Sequence, residues 1–213
     1  MKIGILGSGN VGQTLASGFI KHGYEIMIGA RSPGKLAEWQ AKEGEAGKVG
    51  SLAETVEFGE ALVLAVKGGS AMETLHGIDA SGLSGKIIMD ATNPIADLPP
   101  ENGVLKFFTN LDSSLMEQLQ SEFPAAHFVK AFSCIGAHLM VDPQLADGKP
   151  TMFICGNEDG AKAQVSEIMF QFGHDVEDMG GVEAARAIEP LCMLWCIPGF
   201  RTNNWAHALK MIR

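Results

Sequence analysis

The residues best suited to chemistry stand at the start of the chain, where Gly7-Ser8-Gly9-Asn10-Val11-Gly12 spells G-x-G-x-x-G. Glycines are common, so the spacing carries weight only through its setting. Here it follows the apolar stretch Ile3-Gly4-Ile5-Leu6 at once and opens a segment with Val11, Leu15 and Phe19 on one helical face. In that setting Gly7 can take a tight turn, Gly9 can admit a pyrophosphate to the backbone, and Gly12 can let helix and strand pack closely. The free amides and the positive end of the helix would hold the phosphates without any basic side chain. The pattern predicts dinucleotide binding.

Which dinucleotide is decided about 20 residues further on, where an NAD site carries a carboxylate for the ribose 2'-hydroxyl. That stretch reads Ile28-Gly29-Ala30-Arg31-Ser32-Pro33 and has no carboxylate. Arg31 offers a planar fork of donors for a 2'-phosphate, Ser32 a hydroxyl and Lys35 a further charge. The residues therefore predict NADP(H) over NAD(H). Val66-Lys67-Gly68-Gly69 and Ala91-Thr92-Asn93-Pro94 are expected at the carboxyl ends of the fourth and fifth strands, beside the nicotinamide half. Pro94 restricts Asn93 to an extended conformation that aims its amide into the cleft. Lys67, Lys130 and His138 are the only candidate proton donors, each read first as a structural or solvated side chain. No acid–base pair is required if the acceptor is a planar ring.

These residues need elements to position them. Strand-like runs at 2–7, 25–29, 48–50, 61–66, 86–90 and 127–132 alternate with helical periodicity, the mark of a parallel sheet with crossover helices. The expected class is α/β, a Rossmann doubly wound, mostly parallel sheet with C-terminal helices. After Pro94 the periodicity lapses through residues 95–110, which read as a loop. A helix is expected from Ser114, with Glu117 in the capping-box position, and another capped by Asn157. Two further strands are expected at 151–155 and 175–179. The chain is expected to finish with a helix over 182–196, broken at Pro198-Gly199, and a short helix from Asn203. This divides into an NADP-binding sheet domain over 1–180 and a helical segment over 181–213 that packs on it.

Composition narrows the partners. A chain of 213 residues with 46% hydrophobic and 19% charged residues describes a compact fold rather than a disordered chain. The net charge of -9 is scattered without a basic run, so nucleic acid and anionic membranes are excluded as main partners. The longest apolar run, residues 191–200, is half of what a membrane helix requires, and it makes a homodimer plausible. The N-terminus shows no signal-peptide pattern. Four cysteines without C-x-x-C spacing predict reduced thiols, a cytoplasmic setting and no metal site, and the six histidines show no ligand spacing.

With these residues in hand, the chain resembles the F420H2:NADP oxidoreductase family. The resemblance rests on the glycine motif, on Gly29-Ala30-Arg31-Ser32, on Asn93-Pro94-Ile95, and on Lys130-Ala131-Phe132-Ser133-Cys134-Ile135-Gly136-Ala137 followed by Met140 and Asp142-Pro143. Thr151-Met152-Phe153-Ile154-Cys155-Gly156 and Ala187-Ile188-Glu189-Pro190-Leu191 look like the family as well. The resemblance implies a sheet extended to about eight strands, the last two antiparallel, and direct hydride transfer between NADP(H) and a stacked deazaflavin, coenzyme F420. It implies that Ser8, Asn10, Val11, Arg31, Ser32 and Lys35 hold NADP, that Val66 and Asn93 lie near the nicotinamide, and that Ile135, Gly136 and Ala137 border the acceptor. Trp195 would close that pocket, form a dimer contact or fill the core. Related branches pass the hydride to a flavin that feeds electrons to metal. From another class, the chain could be a redox sensor that binds NADP(H) without turnover.

Overall fold

The computed structural model describes residues 1–213. Lys2–Leu6 (β1) leads through the glycine motif into Asn10–Lys21 (α1), then Glu25–Gly29 (β2), Ala37–Glu43 (α2), Lys48–Gly50 (β3), Leu52–Phe58 (α3) and Ala61–Leu64 (β4). Ala71–His76 (α4), Ile87–Asp90 (β5), Leu115–Glu122 (α5) and His127–Lys130 (β6) complete the main sheet, whose order is β3-β2-β1-β4-β5-β6 with every pairing parallel. The order reverses between β1 and β4, so the carboxyl ends of those two strands flank the crevice where such sheets bind ligands.

Side chains alternate across the sheet, as the two-residue strand period requires. Ile3, Ile5, Val63, Met89 and Val129 pack on one face with Leu15 and Phe19 of α1. Leu6, Leu62, Leu64, Ile88 and Phe128 pack on the other with Leu75 of α4 and Leu115 and Leu119 of α5. Burial on both faces explains why the strands read as apolar runs rather than alternating ones.

The last two strands, Thr151–Ile154 (β7) and Asp175–Asp178 (β8), pair parallel to each other across Asp159–Gln171 (α6). They meet the main sheet through one antiparallel bridge, Lys130 to Cys155, so the expected eight strands form six plus two. The expected cap of α6 is corrected by one residue. Glu158 accepts from the Ala161 amide, while Asn157 accepts from the amide of the distant Val182 at 2.9 Å instead.

The C-terminal expectation is corrected further. A single helix, Ala185–Thr202 (α7), runs through both Pro190 and Pro198, and residues 203–213 form an extended strap with no helix. Tertiary packing overrides the local cost of the two prolines. Asn203 in the left-handed conformation (φ 54°) stops the helix, and the Trp205 ring folds back over Gly199, where a Cβ would lie 2.2 Å from it. Trp195 Nε1 donates to His207 O at 2.8 Å, and Thr151 N donates to Leu209 O at 3.0 Å, so the strap is tied to α7 and to the first residue of β7. No helix is long and apolar enough to cross a membrane.

Gly199→Ala should therefore displace Trp205 and peel the strap. Overpacking of this kind costs about 1–3 kcal/mol. A melting temperature lowered by several degrees, with red-shifted tryptophan emission, is the expected result, and an unchanged melt would show that the ring is not seated there.

Candidate active site

The three motif glycines perform three separable tasks. Gly7 adopts φ +137°, and a Cβ on it would lie 2.2 Å from Ala65 O, so the turn out of β1 requires glycine. A Cβ on Gly12 would lie 2.1 Å from Gly7 O, so α1 packs directly behind the strand. Gly9 has nothing within 4 Å of its would-be Cβ and is exposed, which leaves the approach to the first turn of α1 open. That first turn has no side-chain cap and no acidic residue. Its free amides and dipole are uncompensated by the chain, the environment that a pyrophosphate fits.

In front of this turn lies a cavity of about 260 Å³, lined by Gly7, Ser8, Gly9, Arg31, Val66, Lys67 and Thr74 among others. It shares Val66, Lys67 and Ser70 with a second cavity of about 640 Å³, so the two adjoin along these residues as the two halves of one cleft. The second is walled by Ala91, Asn93, Ile95, Ala96, Asp97 and Phe108. The loop that supplies the last four is irregular, as expected, but pinned: Ile95 bridges Phe107, Ala96 N donates to Lys106 O at 2.8 Å, and Phe108 N donates to Pro94 O at 2.9 Å. Phe108, 47% exposed, contributes an aromatic side chain to the lining of the second cavity.

Of the residues expected from sequence, the cleft gathers Gly7, Ser8, Gly9, Arg31, Val66, Lys67 and Asn93. Asn10 and Val11 sit in the first turn of α1, and Ser32 and Lys35 are exposed just beyond Arg31. Pro94 is buried behind Asn93. Ile135, Gly136 and Ala137 follow β6 without lining either cavity; a Cβ on Gly136 would lie 2.7 Å from the Trp195 ring. Trp195 is a core residue, packed with Leu105, Cys192 and Cys196.

Three features escaped sequence reasoning. Arg31, three-quarters exposed and lining the first cavity, lies 4.0 Å from the Glu73 carboxylate of α4. An exposed pair at that distance is weak, so the guanidinium is available to a stronger anion. Asn93 Nδ2 donates to Ser133 O at 2.7 Å, which fixes the amide orientation and leaves Oδ1 buried without a partner. Behind Asn93, Lys130 is fully buried with its Nζ 2.7 Å from Asp90 Oδ2 and 2.8 Å from Glu189 Oε1. Burial by itself would depress the ammonium, but the Asp90 and Glu189 carboxylates more than offset it and hold its pKa above the ordinary lysine value. Lys130 is paired with two carboxylates and lines neither cavity, which fits a structural cation rather than a proton donor at the cleft. Burial likewise pushes Cys134 up to about 11 and Cys155 up to about 12, so neither supplies a thiolate.

Residues 2–94 match the family model for NADP oxidoreductase, coenzyme F420-dependent. A solved structure from Arthrobacter sp. FB24, described as a candidate F420-dependent NADP-reductase, superposes over 100% of both chains with a TM-score of 0.93 and 32% identity. The chain belongs to the coenzyme F420-dependent NADP oxidoreductase family. As a member of that family it is an NADP-dependent oxidoreductase. It is also 34% identical over 210 residues to metalloreductase STEAP3 of Rattus norvegicus and 27% identical over 199 residues to metalloreductase STEAP2 of Homo sapiens. These matches cover 92% and 89% of this chain but only 38% and 35% of the relatives.

If Arg31 is the family member's 2'-phosphate ligand, Arg31→Asp should weaken NADPH binding by about tenfold to a hundredfold, the loss of one or two charge-assisted hydrogen bonds. NADH binding should hold or improve. Isothermal titration with both coenzymes checks this, and an equal change in the two would remove Arg31 from the specificity role.

Proposed function

We propose that the chain catalyses hydride transfer between NADP(H) and a planar deazaflavin of the F420 type. The observation that carries the reading is that the two cavities adjoin at Val66, Lys67 and Ser70. A dinucleotide seated on the glycine loop has its nicotinamide end directed toward a larger space with an aromatic rim.

The coenzyme, when bound, supplies the hydride. The chain supplies placement: Ser8, Gly9, Asn10 and Val11 offer amides to the pyrophosphate, Arg31 with Ser32 and Lys35 takes the 2'-phosphate, and Val66 and Asn93 floor the nicotinamide. Ile95 and Phe108, which line the second cavity, would offer an apolar surface to the acceptor ring. Transfer to such a ring balances as NADPH, acceptor and one proton giving NADP and reduced acceptor, with the proton taken from solvent. Holding the reacting carbons about 3–3.5 Å apart is the main demand, and no acid–base pair is needed.

A second reading, hydride transfer to FAD or FMN, is favoured by the likeness to metalloreductases across nearly the whole chain. Anaerobic oxidation of NADPH, followed with F420, FAD, FMN and no acceptor in parallel, separates the two. Fast turnover with F420 is the expected outcome. Turnover confined to FAD or FMN would replace the first reading with the second, and binding of NADPH without turnover would sink both in favour of a sensor.

A further inference from the structure

The wall of the second cavity at Ala91 and Asn93 is fastened from behind by one buried cation. Lys130 Nζ donates to Thr92 O at 2.9 Å, and Thr92 lies between the two cavity-lining residues. The same nitrogen forms ion pairs with Asp90 Oδ2 at 2.7 Å and Glu189 Oε1 at 2.8 Å, so the buried ammonium is matched by two carboxylates and one carbonyl. Asp90 Oδ1 in turn accepts from Thr92 N at 2.9 Å and Thr92 Oγ1 at 2.6 Å. Glu189 also accepts from the amides of Leu115 at 3.0 Å and Met116 at 3.1 Å, so one carboxylate of α7 closes the first turn of α5 and holds Lys130. On its front side Asn93 is wedged against Gly68, where a Cβ would lie 1.9 Å from Asn93 O. Thr92 and Asn93 therefore have one placement.

We propose that Lys130, with Asp90 and Glu189, is the positioning group of the hydride-transfer site: through Thr92 it sets where the floor at Ala91 and Asn93 stands relative to the nicotinamide. This rests on reading the second cavity as the meeting place of nicotinamide and acceptor. Apolar side chains would stabilise the same volume at least as well, since burying charges is costly. What they could not do is tie the carbonyl of Thr92 to a helix from the far end of the chain. Misplacement of a reacting group by about 1 Å can cost on the order of a hundredfold in rate.

The test uses Lys130→Met, Glu189→Gln and Thr92→Val in the full chain, with circular dichroism and a thermal melt for each. NADPH is the probe, read by its dissociation constant and by the emission of its bound nicotinamide. With an acceptor present, the rate and the primary isotope effect with [4-2H]NADPH are added. Because the glycine loop and Arg31 are untouched, the dissociation constant should stay within about threefold. The nicotinamide emission should change and hydride transfer should slow by about tenfold or more in Glu189→Gln, with a raised isotope effect. Thr92→Val should move the same readouts less. If Lys130→Met does not fold, the other two variants decide. Folded variants with wild-type emission and rate, or with losses shared equally by binding and rate, would overturn the proposal alone. Failure of the wild-type chain to bind NADPH would overturn the cofactor reading as well.

Discussion

Closeness of backbone at the exit of β1 is the constraint on which the site depends. The turn at Gly7 has Ala65 O against it, and Gly12 sits on Gly7 O, at separations that leave no room for a methyl group. Only this packing lets α1 begin immediately behind the strand with its first amides turned toward the crevice. Because nothing in the chain caps or neutralises that turn, its partial positive charge remains available to a ligand. The parallel order on either side of β1 then places the ends of β2 and β4 on either side of this turn, so the anion-favouring end of the cleft is built by strand packing and not by a charged side chain.

The opposite bank is built in a different way. Where the glycine loop works by omission of side chains, the floor at Ala91 and Asn93 is held by a lysine removed from water and matched to two carboxylates. Losing one partner of such a group leaves a buried charge unpaired, at a cost of about 3–5 kcal/mol, so these residues act as a unit. The unit spans β5, β6 and α7, and this explains why α7 stays helical past Pro190: Glu189, one residue earlier, is anchored at both the lysine and the start of α5.

Much of this was legible before any coordinates. The glycine motif, the parallel strands and the capping box of Ser114 with Glu117 are local patterns, and each sits where residue spacing puts it. Pro198 misled because its helix-breaking effect is local, whereas Trp205 over Gly199 and the strap along β7 are contacts made by distant residues. Asn157 misled for a similar reason, since its oxygen serves Val182 rather than the helix that follows it. The Arg31–Glu73 approach and the Lys130 cluster join residues on different elements, and no spacing within one element announces them. Lys130 was visible as a candidate, but only its burial shows that it is a structural cation.

The central claim is that a hydride passes directly from the nicotinamide to a ring held in the second cavity. Deuterium tracing tests it most directly: NADPH labelled at the transferring C4 position is oxidised anaerobically with F420, and the reduced deazaflavin is examined by mass spectrometry. The account predicts one deuterium per turnover on the ring carbon of the acceptor. Turnover that places solvent hydrogen there instead would contradict direct transfer.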